Sequence, residues 1–67
     1  MENSTVRRLV PIPEARHALG DIGRSTLYEL VSRGEIVKVN IGRRGFITAD
    51  SLGEYVDRLT ASAGGVA

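Results

Sequence analysis

Apolar residues recur along this chain first at helical and then at strand spacing. Ala15, Ala18 and Leu19 repeat every three or four positions behind Pro11 and Pro13. This predicts a short helix that Pro13 opens from its first turn and Gly20 closes, since glycine suits the left-handed position at a helix end. After the brief turn Asp21-Ile22-Gly23, the residues Leu27, Leu30 and Val31 mark a second helix ending at Gly34. At about 100° per residue that stripe faces inward, which turns Ser25, Tyr28, Glu29 and Ser32 outward and leaves Arg24 at the exposed start. Two helices separated by about four residues, with glycine at the turn, predict a helix-turn-helix.

The period then changes to two. Val37, Val39 and Ile41 alternate with Lys38 and Asn40, so Ile36 to Ile41 is expected as a strand with one buried face. Gly42, Arg43, Arg44 and Gly45 form the expected turn, and Phe46 and Ile47 return as a short second strand, so the hairpin tip is two arginines. Thr48 suits the N-cap of a third helix, Asp50 complements its dipole, and Leu52, Tyr55, Val56 and Leu59 form a stripe that closes the core. The expected fold is therefore α+β and mostly helical: three short helices with a two-stranded hairpin wing between the second and third. Residues 1–8 read as a flexible basic arm, 9–60 as the folded domain, and 61–67, with Gly64 and Gly65, as a disordered tail.

Sixty-seven residues make one domain with a modest core, which leaves little room for an elaborate cavity. There is no cysteine, and His17 is the only histidine, so disulfides and thiolate metal sites are excluded and a zinc site lacks ligands. A reducing, cytoplasmic setting is expected, because no apolar run approaches the roughly 20 residues of a membrane span and no signal-peptide pattern is seen. The net charge is only +1, but its distribution is uneven. Residues 1–48 carry eight of the nine basic side chains against five acids, whereas residues 49–67 set Arg58 against Asp50, Glu54 and Asp57. One end suits phosphates and the other does not.

Arg24, Ser25 and Thr26 open the second helix, where side chains and unpaired backbone N–H groups meet a phosphate or a base edge; plain capping is the competing role of the two hydroxyls. Tyr28 is placed either along a sugar-phosphate backbone or at the rim of the core. Arg43 and Arg44 at a hairpin tip are ordinary turn residues in isolation, but beside a recognition helix they reach an adjacent minor groove. Arg7, Arg8, Arg16, Arg33 and Lys38 are secondary phosphate contacts or solvated surface. His17 reads as surface. Asp50, Glu54 and Asp57 share a helix face without making an acid/base site, since Glu54 and Arg58 form an i,i+4 pair. No nucleophile-and-base set, phosphate loop or metal motif is present, so neither catalysis, nor a cofactor, nor a small-molecule substrate is expected.

The start Val10-Pro11-Ile12-Pro13-Glu14-Ala15, the run Gly23-Arg24-Ser25-Thr26-Leu27-Tyr28, the step Arg33-Gly34-Glu35-Ile36, the wing Ile41-Gly42-Arg43-Arg44 and the helix around Leu52-Tyr55-Val56 together resemble a known family. It is that of the small MerR-like winged helix-turn-helix proteins, which includes phage excisionases and related short regulators. The resemblance covers about residues 9–60 and departs at Gly23, where the family often carries a capping serine. It implies that residues matching Arg24, Ser25 and Tyr28 approach the major groove and those matching Arg43 and Arg44 the minor groove. A chain without an appended coiled coil or effector domain is expected to act by architecture, as excisionases do. They bind repeated sites beside a phage attachment site in the host cytoplasm, touch neighbouring copies, bend the double-stranded DNA and direct a tyrosine integrase toward excision. The alternatives are a short transcription regulator of the same family and, from another class, a protein-interaction adaptor with an incidental basic wing.

The uneven charge generates a first prediction. In a titration of duplex DNA, log K falls linearly with log salt, with a slope set by the number of phosphates neutralised. A salt-independent affinity favours the adaptor.

Overall fold

The computed structural model describes residues 7–64. It holds three helices and a three-stranded antiparallel sheet, in the order β1 (Leu9–Pro11), α1 (Ile12–Ala18), α2 (Arg24–Ser32), β2 (Lys38–Ile41), β3 (Arg44–Thr48) and α3 (Ala49–Gly64). The fold is α+β and mostly helical, with the hairpin between the second and third helices as expected. The hairpin has a third strand, however. Leu9–Pro11 pairs with β3, giving the sheet order β1-β3-β2 and the register Leu9 with Thr48, Val10 with Ile47 and Pro11 with Phe46. The chain ahead of α1 is extended because of its prolines, as expected, but it is also hydrogen-bonded to β3. Pro11 lacks an N–H and is tolerated there because β1 is an edge strand.

Glycines set the joints. Gly20 has φ +88° and is followed by Asp21 at φ 63°, and these two left-handed residues reverse the chain after α1. The Asp21 carboxylate meets His17 Nδ1 at 2.7 Å, and this hydrogen bond, aided by the negative charge, raises the histidine pKa. At the end of α2, Gly34 has φ +79°; its N–H donates to Val31 O, and the Glu35 N–H donates to Leu30 O at 2.9 Å. These two bonds close the helix as a Schellman motif. In the hairpin, Ile41 pairs with Arg44 around a two-residue turn, with Gly42 at φ 61°. Positive φ at the first central residue is the mark of a type II′ turn, whose twist matches the flanking strands. The turn is thus tighter than expected: Arg43 sits at the tip, and Arg44 and Gly45 belong to β3.

Thr48 caps α3, accepting a hydrogen bond from Ser51 N–H on its Oγ1 at 3.2 Å. Ser51 joins three elements: its hydroxyl accepts from the Thr48 hydroxyl and from Val37 N–H and donates to Thr48 O. The helix then runs on to Gly64 through residues expected in the tail, because Ala61 and Ala63 favour helix, and within it the Thr60 hydroxyl donates back to Val56 O. Residues 1–6 of the expected arm and 65–67 of the expected tail lie outside the described residues.

The core is Ile12, Ala15, Leu27, Leu30, Ile36, Ile47 and Leu52, with Val10, Leu19, Ile22, Val31 and Tyr55 packed around it. Two expectations change here. The buried face of the hairpin is set by Ile36 and Ile47, so Val37, Val39 and Ile41 share the outer face with Phe46, and Ile41 is 58% exposed. Period-two alternation gave the correct phase but not which phase faces inward, because the stem of Lys38 covers apolar surface on the inner side. On α3, Leu52 is buried but Val56 and Leu59 stay exposed, since the body of the domain ends beneath Tyr55. Arg58 likewise departs from the expected i,i+4 pair: it meets the Glu35 carboxylate at 3.1 Å and Glu35 O at 3.0 Å, pinning α3 to the loop after α2.

Ile47 lies fully buried in the central strand, against helix and sheet alike. Ile47→Ala is expected to cost about 2–5 kcal/mol, whereas Ile41→Ala on the outer face is expected to fall within about 1 kcal/mol of the parent. Chemical denaturation of the two variants measures the difference.

Candidate nucleic-acid interface

An α2 start with no side-chain cap leaves its first N–H groups and the side chains beside them facing outward. Gly23, at φ −72° and ψ 162°, takes the N-cap position, and its carbonyl receives Leu27 N–H without any side-chain bond to the helix. Arg24 and Ser25 are exposed there, and Tyr28, one turn on from Arg24, is 41% exposed. Arg24 and Tyr28 line one open groove with Arg16 from α1 and Arg44 and Gly45 from β3, over a floor made by Pro11, Ile12 and Pro13. Three arginines from three elements therefore border one concave surface. Among the described residues, none of Arg16, Arg24, Arg43 and Arg44 forms a salt bridge.

Each cation is held differently. Arg16 donates its Nε–H to Ile22 O at 3.0 Å, so it also ties α1 to the turn before α2. The Arg44 guanidinium lies 5.2 Å from the centre of the Phe46 ring, within cation–π range. Arg43 is exposed at the hairpin tip. Lys38, from β2, reaches toward α2, with Nζ 5.8 Å from the centre of the Tyr28 ring and 2.8 Å from Asn40 Oδ1.

The remaining sequence candidates separate from this face. Thr26 lines an apolar groove with Leu19, Ile22, Leu30, Tyr55 and Leu59, because two residues along a helix turn a side chain well away from Arg24 and Tyr28. Arg33 caps the far end of α2, its backbone N–H bonded to Glu29 O. Arg7 meets Asp50 Oδ2 at 3.4 Å, and Arg8 gives its carbonyl to Ala49 N–H, so both sit beside the acidic start of α3. Two residues absent from the sequence candidates belong to the groove region: Asn40, and Gly45, which leaves room for it. A Cβ on Gly45 would meet Lys38 Cε at 3.1 Å and Asn40 Oδ1 at 3.4 Å. The register pairs Asn40 with Gly45, but nothing in the sequence alone sets that register.

The described residues thus form a small α+β domain with one cation-bordered face built from two short helices and a hairpin. In the curated comparison this chain is similar to a protein of Saccharopolyspora erythraea named "Probable excisionase", with 42% identity over 55 residues. The aligned stretch is 82% of this chain and 55% of that protein, so the chain spans about half the length of its relative. No protein-family model matches the chain, and no solved structure matches it.

Removing the tip cation tests the face without disturbing the core. Arg43→Ala is expected to weaken duplex binding severalfold while thermal unfolding stays put. Adding Arg44→Ala weakens binding further but also removes the contact with Phe46, worth about 0.5–1 kcal/mol at an exposed site. Electrophoretic mobility shift and thermal melts of both variants provide the check; parent-like binding by the double variant makes the hairpin a bystander.

Proposed function

We propose that this chain binds double-stranded DNA as a winged helix-turn-helix of the MerR-like type, with α2 in the major groove and the β2–β3 hairpin as the wing. The observation that carries the reading is the convergence of Arg24 and Tyr28 from α2, Arg44 from β3 and Arg16 from α1 on one open face. In this reading Arg24, Ser25 and Tyr28 contact base edges and the adjoining backbone, Arg43 and Arg44 enter the minor groove, and Arg16 and Lys38 hold phosphates. Thr26 lies off this face, in the apolar groove beside Tyr55, while Arg7, Arg8 and Arg33 contribute long-range attraction from outside the face.

We further propose that its role is excision: binding repeated sites beside a phage attachment site, bending the DNA and directing a tyrosine integrase toward the excisive reaction. Support comes from the similarity to the "Probable excisionase" and from the small contact area that a single module of this kind offers to DNA. One module of this kind buries little DNA surface and is weakly selective alone, so repetition on a DNA template has to supply selectivity. Arginines entering successive minor grooves favour curvature toward the protein.

Footprinting around the gene and any attachment site identifies the target. Mobility shift on DNA holding one, two and three such sites, with circular permutation to measure the bend, then tests the architecture. Cooperative filling and a bend that grows with each site are expected. Independent filling of straight DNA overturns the excision role and leaves a promoter-occluding regulator.

A further inference from the structure

Lys38 and Asn40 stand on the inner face of β2, two residues apart, and lean toward each other over Gly45. The lysine Nζ is 2.8 Å from Asn40 Oδ1. An ammonium donates and never accepts, so the amide atom facing it has to be the carbonyl oxygen. This fixes the orientation of the Asn40 side chain: its oxygen is occupied and its Nδ2, with two N–H donors, is turned away from the lysine. Among the described residues no acceptor meets that Nδ2. Asn40 is exposed, and Lys38 Nζ keeps donors to spare beside the Tyr28 ring. The pair therefore presents a positive charge and several N–H donors outward, while the Asn40 oxygen is turned toward the ammonium with one of its two lone pairs engaged.

A cationic, donor-rich surface favours an anionic ligand. A base edge in the major groove shows a mixture of donors and acceptors, and a free asparagine reads adenine by using both ends of its amide. With its oxygen drawn back onto Lys38, Asn40 offers its N–H end first and does not present both ends of the amide side by side. A phosphodiester, by contrast, presents anionic acceptors alone. The location agrees: the pair lies between α2 and the body of the hairpin, bridged to α2 by the Tyr28 ring. When a helix occupies one groove and a hairpin tip the next, the strand of sugar and phosphate separating the grooves passes between them.

We infer that Lys38 and Asn40 form a phosphate saddle, in which Asn40 is a DNA contact whose donor is aimed by the lysine and whose space is provided by the missing side chain of Gly45. The saddle rests on the DNA-binding reading above and adds to it a neutral contact. It fixes where the protein sits on the backbone and does not contribute to which bases are chosen. Because Asn40 carries no charge it releases no counterion, so its share of the affinity is insensitive to salt, unlike that of Lys38.

The full chain and a footprinted duplex test this, with single methylphosphonates placed along the backbone to neutralise one phosphate at a time. Asn40→Ala is expected to weaken binding about tenfold, the usual scale for a hydrogen bond to a charged group, with an unchanged slope of log K against log salt. Lys38→Met is expected to lower that slope by about 1. At one methylphosphonate position the parent loses affinity while Asn40→Ala loses little more.

Asn40→Asp separates this role from a structural one. It keeps the shape and strengthens the pairing with Lys38, so the fold holds or gains stability, yet it sets a carboxylate against the phosphate and is expected to bind DNA more weakly than Asn40→Ala. Parent-like binding by both Asn40 variants overturns the saddle while leaving the DNA reading intact. Equal losses from Asn40→Ala on every methylphosphonate duplex also overturn it. A parent chain that binds no duplex overturns both.

Discussion

Burial of Ile47 between the sheet and the helices is the interaction on which the rest of the molecule depends. Its strand, β3, is bonded on both sides, to β1 through Val10 and to β2 through Lys38. Its side chain meets the core that α1, α2 and α3 complete with Ile12, Leu27 and Leu52. With seven buried core residues among those described, removing one anchor leaves little to compensate, because apolar area buried per residue is small at this size. The three arginines of the groove come from elements whose relative placement this strand sets. The cation-bordered face is thus a by-product of the same packing: Lys38, on the inward side of the sheet but beyond the edge of the core, emerges beside Tyr28 of α2, while Arg44 borders the groove from the outer side of its strand.

That edge explains why Lys38, Asn40 and Gly45 belong together. The inner sheet face changes from apolar at Ile47 to polar at Asn40 within one residue pair, and at that step the side chain on β3 is absent. A larger residue at 45 would press on the lysine stem and on Ile12. The outer face follows a different rule. Val37, Ile41 and Leu9 remain partly open to water, with Phe46 shielded by the Arg44 guanidinium.

Much of this was legible in the sequence, and the parts that were not share a cause. The helix stops at Gly20 and Gly34, the hairpin glycine at 42, the cap at Thr48 and the inward stripe of Leu27 and Leu30 are local: each is decided by a residue and its neighbours a few positions away. What escaped depends on partners distant along the chain. β1 has three residues and no distinctive pattern, and only β3, far downstream, makes it a strand. Arg58 has Glu54 at helical spacing, but the Glu35 carboxylate and carbonyl offer a better-defined site across the fold. For the candidate site, the types and positions of Arg24, Tyr28, Arg44 and Lys38 single them out in the sequence, but that Arg24, Tyr28 and Arg44 border one groove depends on the fold. Thr26 adjoins Arg24 and Ser25 in sequence but lines a different groove, and the place of Asn40 opposite Gly45 carries no signal until the register is known.

The pairing of Leu9 with Thr48 has a consequence for how the chain comes into being. β1 finds its partner only after about forty further residues have been synthesised, and the Ala49 N–H that bonds Arg8 arrives later still. Neither α1 nor α2 is long enough to persist alone in water, so the nascent helices have no lasting shelter until β3 emerges. Folding of these elements is then expected as a single late event that joins β1 to β3 and seats the helices at once, rather than as stepwise growth from β1 onward. A ribosome stalled ahead of Ile47 would hold a chain carrying every arginine of the groove and no surface on which to assemble them.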